Sequence, residues 1–115
     1  MNKLEPGDIY FVEFGPAKGH EYEKLRPAII LSKPDNTTIP NIIICVPLSS
    51  KLSNKSPDDI IIKKDPINKL MMDSIIKMRH LTALDPSFRI KKFIGKINPE
   101  THQKIRDILR KLFSI

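Results

Sequence analysis

The sequence predicts a mainly β, α+β domain in which five to six short strands form a small barrel-like sheet closed by one C-terminal helix. Short runs rich in β-branched and aromatic residues alternate with polar segments, and prolines mark most of the boundaries. Only the last part of the chain has the periodicity of an amphipathic helix. With 115 residues and no repeat or linker, residues 1–115 are expected to form a single domain.

The first three strands are expected at residues 9–14, 26–32 and 41–48. The first is rich in aromatic and β-branched side chains, whereas the other two are nearly continuous apolar runs, which predicts central, well-covered strands. The segment between the first two, residues 15–25, is too long and polar for a tight hairpin. Loops of this kind often carry function.

Three further strands are expected in the second half of the chain, at residues 58–63, 74–84 and 92–97. The run at 74–84 is expected to break near His80. Residues 66–72 form a connector with room for one helical turn.

The last element is the one clear helix. Asn98 is a good N-cap, Pro99 suits the first helical position, and Glu100 complements the helix dipole. The spacing of the apolar residues that follow predicts one buried stripe, formed by Ile105, Ile108, Leu109, Leu112 and Phe113.

Basic side chains exceed acidic ones and are concentrated near the C-terminus. The chain has 20 Lys and Arg residues against 13 Asp and Glu residues, a formal net charge of +7. Residues 86–115 carry a surplus of six positive charges. Such an excess favours nucleic acids through counterion release, although a solvated basic surface that only confers solubility explains the same composition.

The cysteine content and hydropathy indicate a soluble, cytoplasmic protein that does not contact a membrane. Cys45 is the single cysteine, so no intramolecular disulfide can form and a reducing compartment is expected. It lies in an apolar run, which predicts a buried small side chain and not a reactive thiol. The N-terminus has no signal-peptide core, and the longest apolar run is too short to span a bilayer.

The chain lacks the patterns of most metal-dependent and cofactor-dependent enzymes. Its four glycines do not form a phosphate-binding cluster. His20, His80 and His102 lack the spacing of metal ligands. Asp58 and Asp59 are adjacent, so they are expected to begin an edge strand and not to hold Mg²⁺. We therefore expect no metal and no cofactor, and side chains alone must run any reaction.

Arg26 and Ser49 are the main candidates for such chemistry. Arg26 begins the second strand, Ser49 follows the third, and the midpoint between them falls between Thr37 and Thr38 in a polar stretch. If the strands pair as a hairpin about that midpoint, the two residues lie directly opposite each other, with Cβ atoms about 5 Å apart. A guanidinium beside a hydroxyl is suited to binding a phosphodiester.

Metal-free cleavage of RNA is accessible to such a pair because the substrate supplies its own nucleophile, the 2′-OH. Arg26 suits charge stabilisation better than proton abstraction, since its pKa exceeds about 12. Ser49 suits hydrogen bonding to a phosphate oxygen, and His20 is the candidate for proton transfer near neutral pH. Taken singly, the three have simpler interpretations as a solvated arginine, a polar strand end and an exposed loop histidine. A bulge would also shift the register.

Five short segments, taken in order, resemble the signature of the MazF/PemK toxin family. No single segment is specific, but together they cover nearly the whole chain. The segments are Gly7-Asp-Ile-Tyr10, Gly19-His-Glu21, Arg26-Pro-Ala-Ile-Ile30, Val46-Pro-Leu-Ser-Ser-Lys51 and Asp73-Ser-Ile-Ile76.

The resemblance implies a homodimeric SH3-like barrel of the MazF/PemK/CcdB type. It implies a sequence-selective endoribonuclease, an mRNA interferase, that cuts single-stranded RNA without metal and leaves 2′,3′-cyclic phosphate and 5′-hydroxyl ends. A cognate antitoxin that occupies the RNA groove is implied as well. Arg26 matches the family arginine before proline, and Ser49 matches the catalytic Thr or Ser after the third strand.

The other candidate residues are assigned to substrate binding. His20, Glu21 and Lys24 lie on the long loop that would flank the groove. Ser50 and Lys51 extend the strand end that holds Ser49, and Lys51 is suited to phosphate, although an exposed lysine with no specific role is the simpler interpretation.

Arg79 and His80 complete the set of binding candidates. Family members commonly carry Gln-(Ile/Leu)-Arg in this region, whereas this chain has His80-Leu81-Thr82. If these residues read bases or meet the dimer partner, the chain should have its own target sequence; contact with solvent alone is the alternative.

Two other functions remain open at this stage. One is a non-catalytic gyrase poison of the same fold, a class that depends on its C-terminal residues; the tail here, residues 112–115, lacks the Trp expected of that class. The other is a family member that binds nucleic acid without cutting it, since fold alone does not imply function.

Overall fold

The computed structural model describes residues 4–15, 25–35 and 41–115. These residues form seven strands, two α-helices and two 3₁₀ turns, the latter at Leu52–Asn54 and Met78–His80. The strands are β1 (Asp8–Glu13), β2 (Leu25–Ile30), β3 (Ile43–Ser49), β4 (Ile60–Ile62), β5 (Ser74–Ile76), β6 (Thr82–Leu84) and β7 (Ile90–Lys96). The helices are α1 (Pro86–Arg89) and α2 (Pro99–Phe113).

The described strands form one antiparallel sheet in the order β4-β5-β3-β2-β1-β7, with β6 beside β3. β3 is shared by two partners on one side. Its residues 43–45 pair with β6, whereas Leu48 and Ser49 pair with β5. Pro47 lies between the part of β3 that pairs with β6 and the part that pairs with β5. Because regular pairing is interrupted there, the absence of an N–H on proline costs no hydrogen bond of the sheet. The Pro47 carbonyl accepts a hydrogen bond from the Lys77 N–H at 3.1 Å, which starts the segment between β5 and β6.

The mainly β fold with a C-terminal helix is confirmed, but the predicted count of five to six strands is wrong. The run at 74–84 was expected to be one strand with a break near His80. The break exists, because the 3₁₀ turn Met78–His80 separates β5 from β6. This division turns one predicted strand into two, which gives seven strands among the described residues.

The sheet of this barrel-like fold is not closed: among the described residues it is open between β4 and β7. The turn after β4 lies against β7 instead. The Lys96 N–H donates to the Ile67 carbonyl at 3.2 Å. Gly95 packs so closely on the Asn68 carbonyl that any Cβ there would collide with it. A backbone contact from the turn therefore replaces strand pairing between the two ends of the sheet.

Alternate side chains of the central strands supply two apolar clusters, one on each face of the sheet. Helix α2 covers the larger cluster through the predicted stripe, with Ile105 buried and Phe113 the one member that is exposed. The larger cluster includes Ile9, Ile29, Val46, Leu48, Ile76 and Met78; the smaller includes Tyr10, Val12, Ala28, Ile30, Ile43 and Cys45.

Helix α2 begins as predicted. The Asn98 side chain accepts a hydrogen bond from the Thr101 N–H at 2.8 Å, and Pro99 takes the first helical position. Cys45 is fully buried, and desolvation raises the pKa of its thiol to about 12, so the expectation of an unreactive core residue is confirmed. Among the described residues no helix is long and apolar enough to cross a membrane.

Candidate active site

The two strands that carry the main catalytic candidates pair in the register that the sequence predicted. Ala28 of β2 lies opposite Pro47 of β3. Extended by two residues at the same spacing, this register sets Arg26 level with Ser49 and on the same face of the sheet. Residues 36–40, which contain the predicted midpoint, lie outside the described residues.

Arg26 is held in extended backbone by its neighbours in the sheet. Pro27 follows it and disfavours the helical conformation at position 26. On the other side of β2, Arg26 pairs with Val12 of β1. The residue is half-buried, and its Nε nitrogen is buried. Arg26 is therefore a partly shielded cation at the start of a central strand, where its charge is screened less than that of a fully solvated arginine.

Ser49 is a fixed hydroxyl at the end of β3. The residue is 7% exposed, and its Oγ accepts a hydrogen bond from the Lys51 N–H at 3.2 Å. Because that bond uses the oxygen as an acceptor, the hydroxyl hydrogen can still be donated to another group. Ser50 and Lys51 are exposed, and Lys51 leads into the 3₁₀ turn Leu52–Asn54.

A groove of about 510 Å³ adjoins this end of the sheet and contains Arg26 and Ser50 in its wall. Lys69 and Lys92 also lie in the wall, so two lysines join the arginine around a mainly apolar surface. Ser49 is not among the lining residues, which agrees with its alternation with Ser50 along the strand. The apolar part of the wall is formed by Phe11, Leu25, Pro27, Leu48, Leu70, Met71, Met72, Phe93 and Ile94.

A buried ion pair joins Lys77, which follows β5, to Asp59, which precedes β4. Lys77 and Asp59 are 2.6 Å apart, with side chains 9% and 2% exposed. The Asp59 carboxylate also accepts the N–H groups of Ser56 and Met78, and the Lys77 ammonium donates to the Asn54 carbonyl at 3.0 Å. Such additional hydrogen bonds are what makes a buried pair tolerable.

Asp58, the neighbour of Asp59, bonds two exposed cations. Its Oδ2 accepts a hydrogen bond from Nε of Arg79 at 3.0 Å and lies 3.0 Å from Nη2 of the same residue, and its Oδ1 accepts from Nζ of Lys111 in α2 at 2.8 Å. The Lys111 hydrogen bond first, and then that of Arg79, lowers the pKa of Asp58. The expectation that this acidic pair begins an edge strand is confirmed, since both residues directly precede β4 at one end of the sheet.

His80 ends the 3₁₀ turn and is exposed. Partial desolvation, and then the positive charge of Lys77, lowers its pKa, against an opposing effect of Asp59. The lowered pKa favours the neutral imidazole, which can both donate and accept a hydrogen bond.

The predicted site residues are thus brought together in part. Arg26, Ser49 and Ser50 lie at the same end of the β2–β3 pair, and the segment with Arg79 and His80 begins beside Pro47, two residues before Ser49. His20, Glu21 and Lys24 lie outside the described residues. No cluster of His, Cys, Asp or Glu suited to a metal ion occurs in the described part of the chain.

The ionic network around the turn was not predicted from the sequence. Lys77 stands inside a strand-like apolar run, and a lysine in such a place is a signal for a buried partner. The acidic residues that supply the partners are about twenty positions away, so only the fold identifies them.

Comparisons with known proteins agree with this architecture. A family model described as "PemK-like, MazF-like toxin of type II toxin-antitoxin system" matches residues 5–113. An "Endoribonuclease MazF" from Staphylococcus saprophyticus is 22% identical over 107 residues, which cover 92% of this chain and 88% of that protein.

Two solved structures illustrate the similarity of fold. MazF from Deinococcus radiodurans has a TM-score of 0.81 at 19% identity, and the match covers 100% of both chains. An endoribonuclease from a mycobacterial species, solved in complex with its cognate antitoxin, has a TM-score of 0.70 at 17% identity. That match covers 100% of this chain and 97% of the other.

Proposed function

Since the chain belongs to the family of PemK-like, MazF-like toxins of type II toxin–antitoxin systems, we propose that it is a sequence-selective endoribonuclease that cleaves single-stranded mRNA without a metal ion. The observation that supports this proposal is the β2–β3 register: continued by two residues, it would set Arg26 opposite Ser49, next to a groove whose wall contains Arg26, Ser50 and two lysines. The name of the staphylococcal relative supports the same activity.

The reaction follows from what these side chains offer to a phosphodiester. The 2′-oxygen of one ribose attacks the adjacent phosphorus and loses its proton to a general base, while the bond from phosphorus to the 5′-oxygen breaks and that oxygen gains a proton. The products are a 2′,3′-cyclic phosphate and a 5′-hydroxyl. Arg26 stabilises the negative charge that develops on the phosphate, and Ser49 donates a hydrogen bond to a non-bridging oxygen.

Substrate binding is assigned to the residues around this pair. Ser50 lines the groove, and Lys51 is exposed next to it, so both are available to the RNA backbone on either side of the scissile bond. Arg79 and His80 are proposed to contact bases. His20, Glu21 and Lys24 precede β2 in the sequence and lie outside the described residues; they are also proposed to bind the substrate, with His20 the candidate for proton transfer.

The protein partners follow from the family. We propose a homodimer and a cognate antitoxin that competes with RNA for the groove, in a cytoplasmic toxin–antitoxin pair. The mycobacterial endoribonuclease solved with its antitoxin supports this type of partner. The apolar wall of the groove, interrupted by Lys69 and Lys92, suits a peptide that combines apolar and acidic side chains.

The decisive experiment incubates the purified protein with end-labelled single-stranded RNA in EDTA and analyses the product ends. Cleavage with 5′-hydroxyl and 2′,3′-cyclic phosphate ends is expected. Arg26→Ala, purified in the same way, should lose about a thousandfold or more in rate because the charge on the phosphate loses its main stabilising group. An unchanged circular dichroism spectrum would show that the variant is folded.

Two results would overturn the proposal. One is full activity of Arg26→Ala, because the cleavage would then come from other residues or from a contaminating nuclease. The other is RNA binding by the parent protein without cleavage under any of these conditions, which would leave a nucleic-acid-binding member of the family.

A further inference from the structure

Arg79 is an exposed arginine whose orientation is fixed by a buried carboxylate. Its side chain is 67% exposed, whereas that of Asp58 is 8% exposed. Two guanidinium nitrogens, Nε and Nη2, converge on one oxygen of Asp58. A guanidinium has five N–H donors, so this grip leaves the hydrogens of Nη1 and one hydrogen of Nη2 for another ligand.

Asp58 is itself held through its other carboxylate oxygen. Its second oxygen accepts from Lys111 in the last turn of α2 at 2.8 Å. The next residue, Asp59, binds the Lys77 ammonium and the Met78 N–H, both from the same short segment that carries Arg79. The adjacent carboxylates therefore fix this segment at three points, and the backbone beneath Arg79 cannot shift without breaking a buried ion pair.

The segment lies next to the proposed catalytic pair. The Lys77 N–H donates to the carbonyl of Pro47, two residues before Ser49 on β3, and Ser49 pairs with Ile75 of β5. An RNA strand bound at Ser49 would therefore reach the segment that carries Arg79 within a few nucleotides. A flexible arginine at that position would lose side-chain freedom upon binding, whereas one already oriented would not.

We propose that Asp58 is a positioning residue for the RNA substrate: it orients Arg79 toward the strand that crosses Ser49, and Lys111 anchors Asp58 from helix α2. The inference rests on the proposed function. Asp58 does not touch the substrate; it acts by lowering the cost of ordering Arg79 on binding. The negative charge of Asp58 repels RNA, so electrostatics alone predicts that removing the charge strengthens binding. Loss of the orientation of Arg79 predicts the opposite, weaker binding.

The test compares Asp58→Asn with Asp107→Asn. Each substitution removes one negative charge, but Asp107 is exposed on α2 and, within the described part of the chain, its carboxylate accepts a hydrogen bond from the Gln103 side chain alone. Affinity is measured by fluorescence anisotropy with a random-sequence 2′-O-methyl RNA, which lacks the attacking hydroxyl and cannot be cut. Asp58→Asn should weaken binding about three- to tenfold, on the scale of ordering one long side chain. Asp107→Asn should leave affinity unchanged or slightly tighter.

A double-variant comparison identifies the route of the effect. If Asp58 acts through Arg79, Asp58→Asn should have no further effect in an Arg79→Gln background. In single-turnover cleavage, Asp58→Asn should raise the protein concentration needed for the half-maximal rate by about the same factor by which it weakens binding, with a smaller effect on the rate at saturation. Binding by Asp58→Asn that equals that of Asp107→Asn, or losses that add fully in the double variant, would overturn the proposal.

A second comparison decides the matter if Asp58→Asn does not fold. Arg79 is exposed, so Arg79→Lys and Arg79→Gln should fold like the parent. Lysine keeps the charge but cannot form the two-nitrogen grip, so Arg79→Lys should bind nearly as weakly as Arg79→Gln; parent-like affinity of Arg79→Lys would contradict the proposal. Cleavage by the parent protein tests the proposed function separately, because the binding probe does not depend on it.

Discussion

Replacing Ser49 with alanine is the sharpest test of the second catalytic group. The Ser49 oxygen already accepts from the Lys51 N–H, so the group lost to the substrate is a single O–H donor. Removing one donor that stabilises charge in the transition state costs on the order of 10²–10³ in rate, or about 3–4 kcal/mol. The Lys51 N–H loses its partner, but Lys51 is an exposed residue and water can replace the serine oxygen, so the free energy of unfolding should fall by only about 1 kcal/mol.

The assay is single-turnover cleavage of a labelled RNA at saturating protein. Ser49→Thr keeps the hydroxyl and should retain activity within about tenfold, while Ser49→Ala should show the full loss. Ser53→Ala, an exposed serine in the neighbouring 3₁₀ turn, provides a matched control and should cleave like the parent. If Ser49→Ala cleaves as fast as that control, the hydroxyl has no part in catalysis and the proposed mechanism fails.

Two further predictions concern charge inside the fold. Lys77→Met should lower the free energy of unfolding, measured in urea, by about 3–5 kcal/mol, because the 2%-exposed Asp59 carboxylate loses its counter-charge. Adding Asp59→Asn to this variant should restore part of the lost stability. A loss below about 1 kcal/mol in Lys77→Met would contradict this account of the buried pair. Burial lowers the pKa of the His102 imidazole from its usual 6.5. As the pH falls, His102 is therefore protonated in the unfolded chain before it is protonated in the folded one, and the free energy of unfolding should decline below about pH 6.5. His102→Asn should show a shallower decline between about pH 7 and 5, and identical slopes would refute the assignment.

Much of the fold could be predicted because local signals agreed with the tertiary structure. The N-cap at Asn98 and the apolar stripe after it determined α2 without ambiguity. The β2–β3 register followed from the symmetry of two apolar runs about a polar turn. The 3₁₀ turn at Met78–His80 was visible only as a break in the run, since nothing local shows that the chain changes partner there.

The rest of the site depends on contacts between distant parts of the chain. The pairing of Asp58 with Arg79 and Lys111 joins residues separated by 21 and 53 positions, and no periodicity encodes such a contact. The open sheet likewise depends on a contact between distant parts of the chain. The contact of Gly95 with the Asn68 carbonyl substitutes for a strand pairing that the sequence pattern alone would suggest.

The buried state of Cys45 makes the protein convenient for fluorescence work. With a thiol that does not ionise near neutral pH, the native chain should resist maleimide dyes. A cysteine introduced in place of Met71, which is 89% exposed in the groove wall, would then be the sole site of attachment. A single fluorophore there would report, in real time and without removing any native thiol, when RNA or an antitoxin enters and leaves.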